Sequence, residues 1–322
     1  MKVAVLSGGR SSEHDVSLRS GEAVARGLEE AGHEALRVTI SREGVWIHGG
    51  TGLKLVPGEG LLSADAVFPA LHGPFGEDGS VQGLLEWLQV PYVGSDVLGS
   101  AACMDKLTLK RLFSQAGIPQ VDFVDAGEPG WRERCERLGS PLWVKPSRLG
   151  SSVGISRVAG VGAELDEAVE LARRHDPRVI VEAPAAGREV ECSLLGNELI
   201  EASMPGEVVA KGDWYDYEHK YQEGGMELVV PPPISEEQVR EVRVLATTAF
   251  KLGGCSGLAR CDFFVEPDGA VLVNEINTMP GFTETSVYAK LWAASGLEYP
   301  ALCDRLVELA IERHERTASY EF

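Results

Sequence analysis

Cysteine is sparse and unpatterned. The six, at 103, 135, 192, 255, 261 and 303, form no CxxC and no Cys/His cluster, which argues against a zinc site or a disulfide scaffold and for free thiols in a reducing cytoplasm. No stretch approaches the roughly 18 apolar residues of a membrane span, and the apolar start at Val3–Leu6 is too short for a secretory leader. Positive charge is also short: 30 basic residues against 49 acidic ones give a formal charge of −19. Such an exterior argues against a nucleic-acid surface, and any polyanionic ligand must be met by locally gathered cations. No repeat or low-complexity tract interrupts the chain. What remains is an ordinary globular composition, 44% hydrophobic and 25% charged over 322 residues, enough for two or three domains and an ample core.

The order of patterns is α/β. Residues 2–7 read as a buried strand, 16–30 as an amphipathic helix ending at Gly32, 33–40 and 65–71 as strands, and 81–88 as a helix. This β-α-β alternation implies an open, largely parallel, Rossmann-like sheet over residues 1–94, with ligands at the carboxyl ends of its strands near Gly8-Gly9 and His72-Gly73. A second unit, 95–181, holds a helix over 104–116, extended segments at 120–124 and 142–146, a helix over 165–174 and a strand at 179–181. The third, 182–322, holds strands, an irregular stretch over 205–225, a helix over 236–252, a hairpin and two terminal helices. The stretch with Trp214, Tyr215, Tyr217 and Tyr221 is too long and too aromatic for a passive connector and reads as a lid.

The strongest chemistry lies in Ala259–Phe264 and Val273–Gly281. Between them Glu266-Pro267-Asp268-Gly269 signals a hairpin with Pro267-Asp268 as a two-residue loop, so Arg260 faces Glu275 and Asp262 faces Val273. Arg260, Asp262, Glu275 and Asn277 then share one face, while Cys261, Phe263, Leu272 and Ile276 point to the core. Two carboxylates and an amide across strands make an all-oxygen set suited to Mg²⁺ or Mn²⁺ and poorly suited to zinc. The plain alternative is an exposed hairpin with solvated charges.

Lys145–Gly154 joins two strands and can present backbone N–H groups and serine hydroxyls to phosphate, with Lys145 beside it; it is not a Walker A sequence, and a simple Gly/Ser turn is the plain alternative. Lys106 offers a second cation, or only a solvated one. His72–Gly79 suits a backbone passing close to a ligand, with Glu77 and Asp78 read as caps of the helix from Val81. Glu13, in a loop whose other polar residues suffice for capping, is placed to hold an ammonium group.

Seven segments in order, GGRSSEHDVSLRSG, HGPFGEDGSVQG, CMDK, VKPSRLGSSVGISRV, YDYEHKY, ARCDFF and NEINTMPGFTETS, resemble the D-alanine–D-alanine ligases of the ATP-grasp superfamily over nearly the whole chain. The resemblance implies an α/β (α+β) ATP-grasp protein with ATP between two antiparallel sheets. It implies phosphate contacts from Lys106, Lys145 and Lys220, a loop of Ser151, Ser152 and Val153 closing over them, and nucleotide contacts from Glu182, Ala183, Ala185, Glu189, Asn274 and Glu275. Asp262, Glu275 and Asn277 would hold two Mg²⁺ (or Mn²⁺) ions, and a monovalent cation is a further possible cofactor. Glu13 and His72 would orient the first D-alanine, Arg260 and the Gly281 N–H would form the oxyanion site, and Ser286 would bind the second carboxylate. Ser151, Tyr221 and Glu13 would link lid to N-terminal unit. The implied reaction makes D-alanyl-D-alanine through a D-alanyl phosphate for peptidoglycan synthesis, in a cytoplasmic homodimer with no membrane or nucleic-acid partner. The YDYEHKY segment favours an amine over D-lactate as acceptor. A D-alanine–D-lactate ligase, another ATP-grasp ligase and a nucleotide-binding regulator are the competing expectations; Leu149 and Ala183-Pro184-Ala185 depart from the commonest pattern.

Overall fold

A computed structural model describes residues 1–210 and 226–321 of the chain. Strand β1 (Lys2–Gly8) carries the run Val3–Leu6, buried on both faces, as a strand covered from both sides requires. Helix α1 (His14–Glu30) returns the chain to β2 (Glu34–Ile40), and β3 (Trp46–His48), β4 (Thr51–Gly52) and β5 (Ala66–Pro69) complete a sheet of order β4-β3-β2-β1-β5. Strands β2 and β5 run parallel to β1, as the alternation predicts, while β3 and β4 turn back antiparallel at one edge.

After α2 (Ser80–Leu88) come α3 (Val97–Met104) and α4 (Lys106–Ala116), where one helix over 104–116 was expected. Asp105 makes the break: its extended backbone ends α3, and its carboxylate caps α4 by accepting the Thr108 N–H at 3.1 Å. Strand β6 (Phe123–Asp125), α5 (Trp131–Cys135), β7 (Leu142–Pro146), β8 (Ser156–Val158), α6 (Ala163–Arg173) and β9 (Val179–Glu182) then form an antiparallel sheet of order β6-β9-β7-β8.

A third, antiparallel sheet has the order β13-β12-β10-β14-β15, with β11 paired to β10. It comprises β10 (Arg188–Gly196), β11 (Ile200–Ala202), β12 (Gly206–Ala210), β13 (Met226–Val229), β14 (Gly257–Val265) and β15 (Val271–Asn277). The stretch expected to be irregular from 205 thus opens and closes with strands; its middle, including Lys220 and Tyr221, lies outside the described residues. Helix α7 (Glu236–Leu252) starts at a capping box formed by Ser235 and Gln238 and lays Val242, Ala246, Ala249 and Phe250 on this sheet.

Helices α8 (Val287–Ala294) and α9 (Tyr299–Ala318) return to the first sheet. Tyr299, Leu302, Leu306 and Ala310 join one core cluster with Val3, Val24, Leu28 and Phe68, while α2 covers the opposite face through Leu85 and Leu88. The approach of α1 to α9 is close enough that a Cβ on Gly27 would lie 2.8 Å from the Tyr299 ring and 2.9 Å from the Cys303 sulfur. All six cysteines are buried free thiols.

Candidate active site

The hairpin at the centre of the site is built differently from its expected register. The loop is three residues, closed by the Glu266 N–H to the Ala270 carbonyl at 2.8 Å, with Gly269 in the left-handed region at φ +100°. That moves the pairing by one residue, so Phe263 faces Val273 in the core and Leu272, expected inward, opens to the other side. A bulge at Asn274 then adds a second one-residue shift, because Asp262 pairs with Glu275 and Phe263 with Val273. Arg260 therefore faces Asn277, not Glu275, and Asp262 faces Glu275, not Val273. Two odd shifts make an even one, so Arg260, Asp262, Glu275 and Asn277 still share a face.

On that face the Arg260 Nε and Nη2 groups donate to the two Asp262 oxygens, each at 2.7 Å, and the Asn277 amide donates to Asp262 Oδ2 at 3.1 Å. Glu191 on β10 pairs directly opposite Asp262 and brings its Oε2 to 2.8 Å from Arg260 Nε. Burial works against the Arg260 charge, but Asp262 and Glu191 outweigh it and hold the guanidinium far above its ordinary range. The sequence reading missed Glu191, although Glu189-Val190-Glu191 alternates around a fully buried valine and so puts both carboxylates on one face.

Facing the hairpin are the two expected lysines. Lys106, at the first turn of α4, lies 3.3 Å from Glu275 Oε2 and donates to the Leu149 carbonyl at 2.9 Å, so it is not merely solvated. Lys145 ends β7 and pairs with Glu182 at 2.5 Å; Lys110, a buried lysine outside the expected set, pairs with the same carboxylate at 3.0 Å. Burial raises the Glu182 pKa, but Lys110 and Lys145 outweigh that and bring it to about 2. The two lysines shift oppositely: burial wins at Lys110 and lowers it, while the surrounding carboxylates win at Lys145 and raise it. Past β7, Ser151 and Ser152 take left-handed φ values of +53° and +59°, unusual for residues with a Cβ and typical of strained ligand-binding loops. Ala183, Ala185, Glu189 and Asn274 lie on the adjoining wall, with the Ala183 N–H already donated to the Asp122 carbonyl. Val153 sits in the Gly/Ser turn, its N–H bonded to the Gly150 carbonyl.

The first sheet closes the third side. Ser151 donates to Glu13 Oε1 at 2.5 Å, joining the Gly/Ser loop to the loop after β1. His72 is fully engaged: Nδ1 lies 3.0 Å from the Met279 carbonyl and Nε2 2.8 Å from Ser20 Oγ. A carbonyl only accepts, so Nδ1 carries the proton and Ser20 donates to Nε2. Burial lowers the His72 pKa and keeps the ring neutral. Glu77 is not a helix cap; Asp78 takes the Ser80 N–H, whereas Glu77 accepts the Gly73 N–H at 2.7 Å. Burial first, and Glu13 second, push the Glu77 carboxyl up to about 8. Ser286 stands at the N-cap position of α8 but its hydroxyl makes no bond to the helix, accepting instead the Thr283 N–H at 3.0 Å, and Gly281 lies beside it.

These walls enclose a cavity of about 850 Å³. Its metal-binding potential rests on Asp262, Glu275 and Asn277; among the described residues, no three His, Cys, Asp or Glu side chains form a metal site on their own. Two carboxylates and an amide fit a hard divalent ion that completes its shell with phosphate oxygens and water. Lys106 and Lys145 on one wall, Asp262 and Glu275 on the other and Ser151 and Ser152 at the same cavity suit phosphoryl transfer to a small zwitterion.

Residues 2–57 and 52–95 match the family model described as D-ala D-ala ligase N-terminus, and residues 112–308 match D-ala D-ala ligase C-terminus. The chain is 41% identical to the D-alanine–D-alanine ligase of Geobacillus kaustophilus, covering 100% of this chain and 98% of that one. To the enzyme of the same name from Mycolicibacterium gilvum it is 44% identical, with 97% and 98% covered. The solved D-alanine-D-alanine ligase from Coxiella burnetii superposes with a TM-score of 0.89 at 37% identity, covering 99% of this chain and 96% of that one. VanG D-Ala:D-Ser ligase from Enterococcus faecalis superposes at 0.86 and 35%, covering 96% and 99%.

Proposed function

This chain belongs to the D-alanine–D-alanine ligase family, and on that premise we propose how its cavity divides the work of the reaction. The fold is ATP-grasp, and the enzyme joins two D-alanines at the expense of ATP, for peptidoglycan precursor synthesis. The observation that carries the assignment of roles is the opposition of Lys106 and Lys145 to the hairpin carboxylates across one cavity.

In our reading Lys106 and Lys145 hold the ATP phosphates under the Ser151–Val153 loop, with Lys220 added from the lid, while Ala183, Ala185, Glu189 and Asn274 hold the nucleoside. Glu182 acts behind them by fixing Lys145 and Lys110. Mg²⁺ on Asp262, Glu275 and Asn277 supplies positive charge to the phosphate oxygens when bound. Glu13 takes the ammonium of the first D-alanine, whose carboxylate oxygen attacks the terminal phosphorus and releases ADP. The amine of the second D-alanine, its carboxylate at Ser286 on the α8 N-terminus, then attacks the acyl carbon. Arg260 and the Gly281 N–H receive the oxyanion, the amine loses a proton and phosphate leaves. In the same reading His72 orients the first D-alanine indirectly: with one ring nitrogen on Ser20 and the other on the Met279 carbonyl, it holds the segment leading to Gly281.

We further propose units at 1–94, 95–181 and 182–322, a cytoplasmic location and a homodimer. The test is phosphate release from ATP and Mg²⁺ with D-alanine, L-alanine, D-serine or D-lactate, with products identified by mass. D-alanine-dependent release with D-alanyl-D-alanine as the main product is expected; a mixed product whenever D-serine or D-lactate is present would reassign the acceptor.

A further inference from the structure

We propose that Glu191 is a positioning residue for the ligation, the anion that keeps the Arg260 guanidinium in place when Asp262 turns to a metal ion. This rests on the reading of Asp262 as a metal ligand and goes beyond it. Glu191, Asp262 and Glu275 stand in a row across β10, β14 and β15, each directly opposite the next. Three adjacent carboxylates on neighbouring strands repel one another unless cations lie among them. Arg260 is the cation between the first two and Lys106 the cation at the third.

Arg260 Nε sits between two anions, 2.7 Å from Asp262 Oδ1 and 2.8 Å from Glu191 Oε2, and its proton is donated to Asp262. All three side chains are largely buried, with 18% of Arg260 and 14% of each carboxylate exposed. A divalent ion on Asp262 competes for the two oxygens that receive Nε and Nη2. Without a second anion the guanidinium would be left buried and uncompensated, or would follow Asp262 away from the acyl carbon. Glu191, on a separate strand and held by the β10–β14 ladder, takes over Nε without moving the arginine. The carboxylate contributes by its charge and direction, through Arg260, and touches no reacting atom.

The experiment measures Mn²⁺ affinity by electron paramagnetic resonance in the presence of ADP, together with kcat and the KM values, for the unaltered chain, Glu191→Gln, Glu191→Asp and Asp262→Asn. For Glu191→Gln we expect kcat to fall about 10- to 100-fold, the loss produced by a displaced transition-state donor. Its Mn²⁺ affinity and KM for ATP should stay within about twofold, and Glu191→Asp should recover part of kcat. Unchanged kcat in Glu191→Gln, or a loss confined to thermal stability, overturns the proposal. A loss of Mn²⁺ affinity in Glu191→Gln matching that in Asp262→Asn overturns it differently, by making Glu191 a metal ligand. Unchanged Mn²⁺ affinity in Asp262→Asn overturns the underlying reading of Asp262, and the proposal falls with it.

Discussion

Glu182 sits between two ammonium groups that have little access to water. Glu182→Gln leaves both lysines short of a counter-charge, so a stability loss of about 3–5 kcal/mol is expected in urea denaturation at pH 7. Because its folded pKa, about 2, lies below the ordinary 4.5, the stability it contributes is complete above pH 4.5 and disappears as pH falls toward 2. The gap between parent and variant should therefore narrow across that window; a constant gap would mean that packing, not charge, is lost. Glu275→Ala removes the carboxylate that faces both Lys106 and Asp262. It should lower kcat by at least about 100-fold with little change in melting temperature, since the side chain lies on the cavity wall and not in the core. Near-parental turnover at low Mg²⁺ would remove Glu275 from the metal site. At this scale the sequence showed the residues of the hairpin face but not Lys110 or Glu191, and it read Glu77 as a helix cap. Lys110 and Glu191 are committed by Glu182 and Arg260, far along the chain, and no local pattern reports such a partner.

The hairpin shows how an element can be legible for an incomplete reason. Alternation placed Arg260 and Asp262 with Glu275 and Asn277, yet the true ladder contains a longer loop and a bulge whose offsets combine. Phe263 is core in both registers; Leu272 and Val273 exchange sides. The helix expected over 104–116 corresponds to α4 with Asp105 taken into it, and α3 has no counterpart in that reading; Asp105 has tertiary work to do. Its carboxylate accepts the Thr108 N–H, the Ser147 hydroxyl at 2.8 Å and Arg178 at 2.6 Å, which ties the start of α4 to the segment after β7. Asp105→Ala should cost about 2 kcal/mol, within the range for a lost N-cap. It should also raise the KM for ATP several-fold, because Lys106 is the next residue. Calorimetry and initial rates check the two halves separately, and a stability loss with unchanged KM would confine Asp105 to the fold.

Across the whole molecule, the proposed boundary near residue 94 separates sheets more cleanly than it separates cores. The first sheet's strands fall within residues 2–69, but one of its faces is covered partly by Tyr299, Leu302 and Leu306 of α9. Arg313 of the same helix donates to the Gly94 and Tyr92 carbonyls at 2.7 and 3.0 Å and to Ser256 Oγ at 3.2 Å, spanning the joint between first and third units. Residues 1–94 produced alone should therefore lack a cooperative thermal transition and bind a hydrophobic dye, and adding back the C-terminal segment in the same chain should restore both properties. A sharp two-state transition in the isolated fragment would show that the boundary is also a folding boundary.

The seat of α9 against β1 and α1 also sets an order in time. A ribosome makes the strands of the first sheet long before the helix that completes their cover, so Val3, Phe68 and the α9-facing side of α1 stay uncovered while the second and third sheets are being made. That face closes only once α9 has itself been made and has left the exit tunnel, and changes in α9 are felt in residues far ahead of it in the sequence.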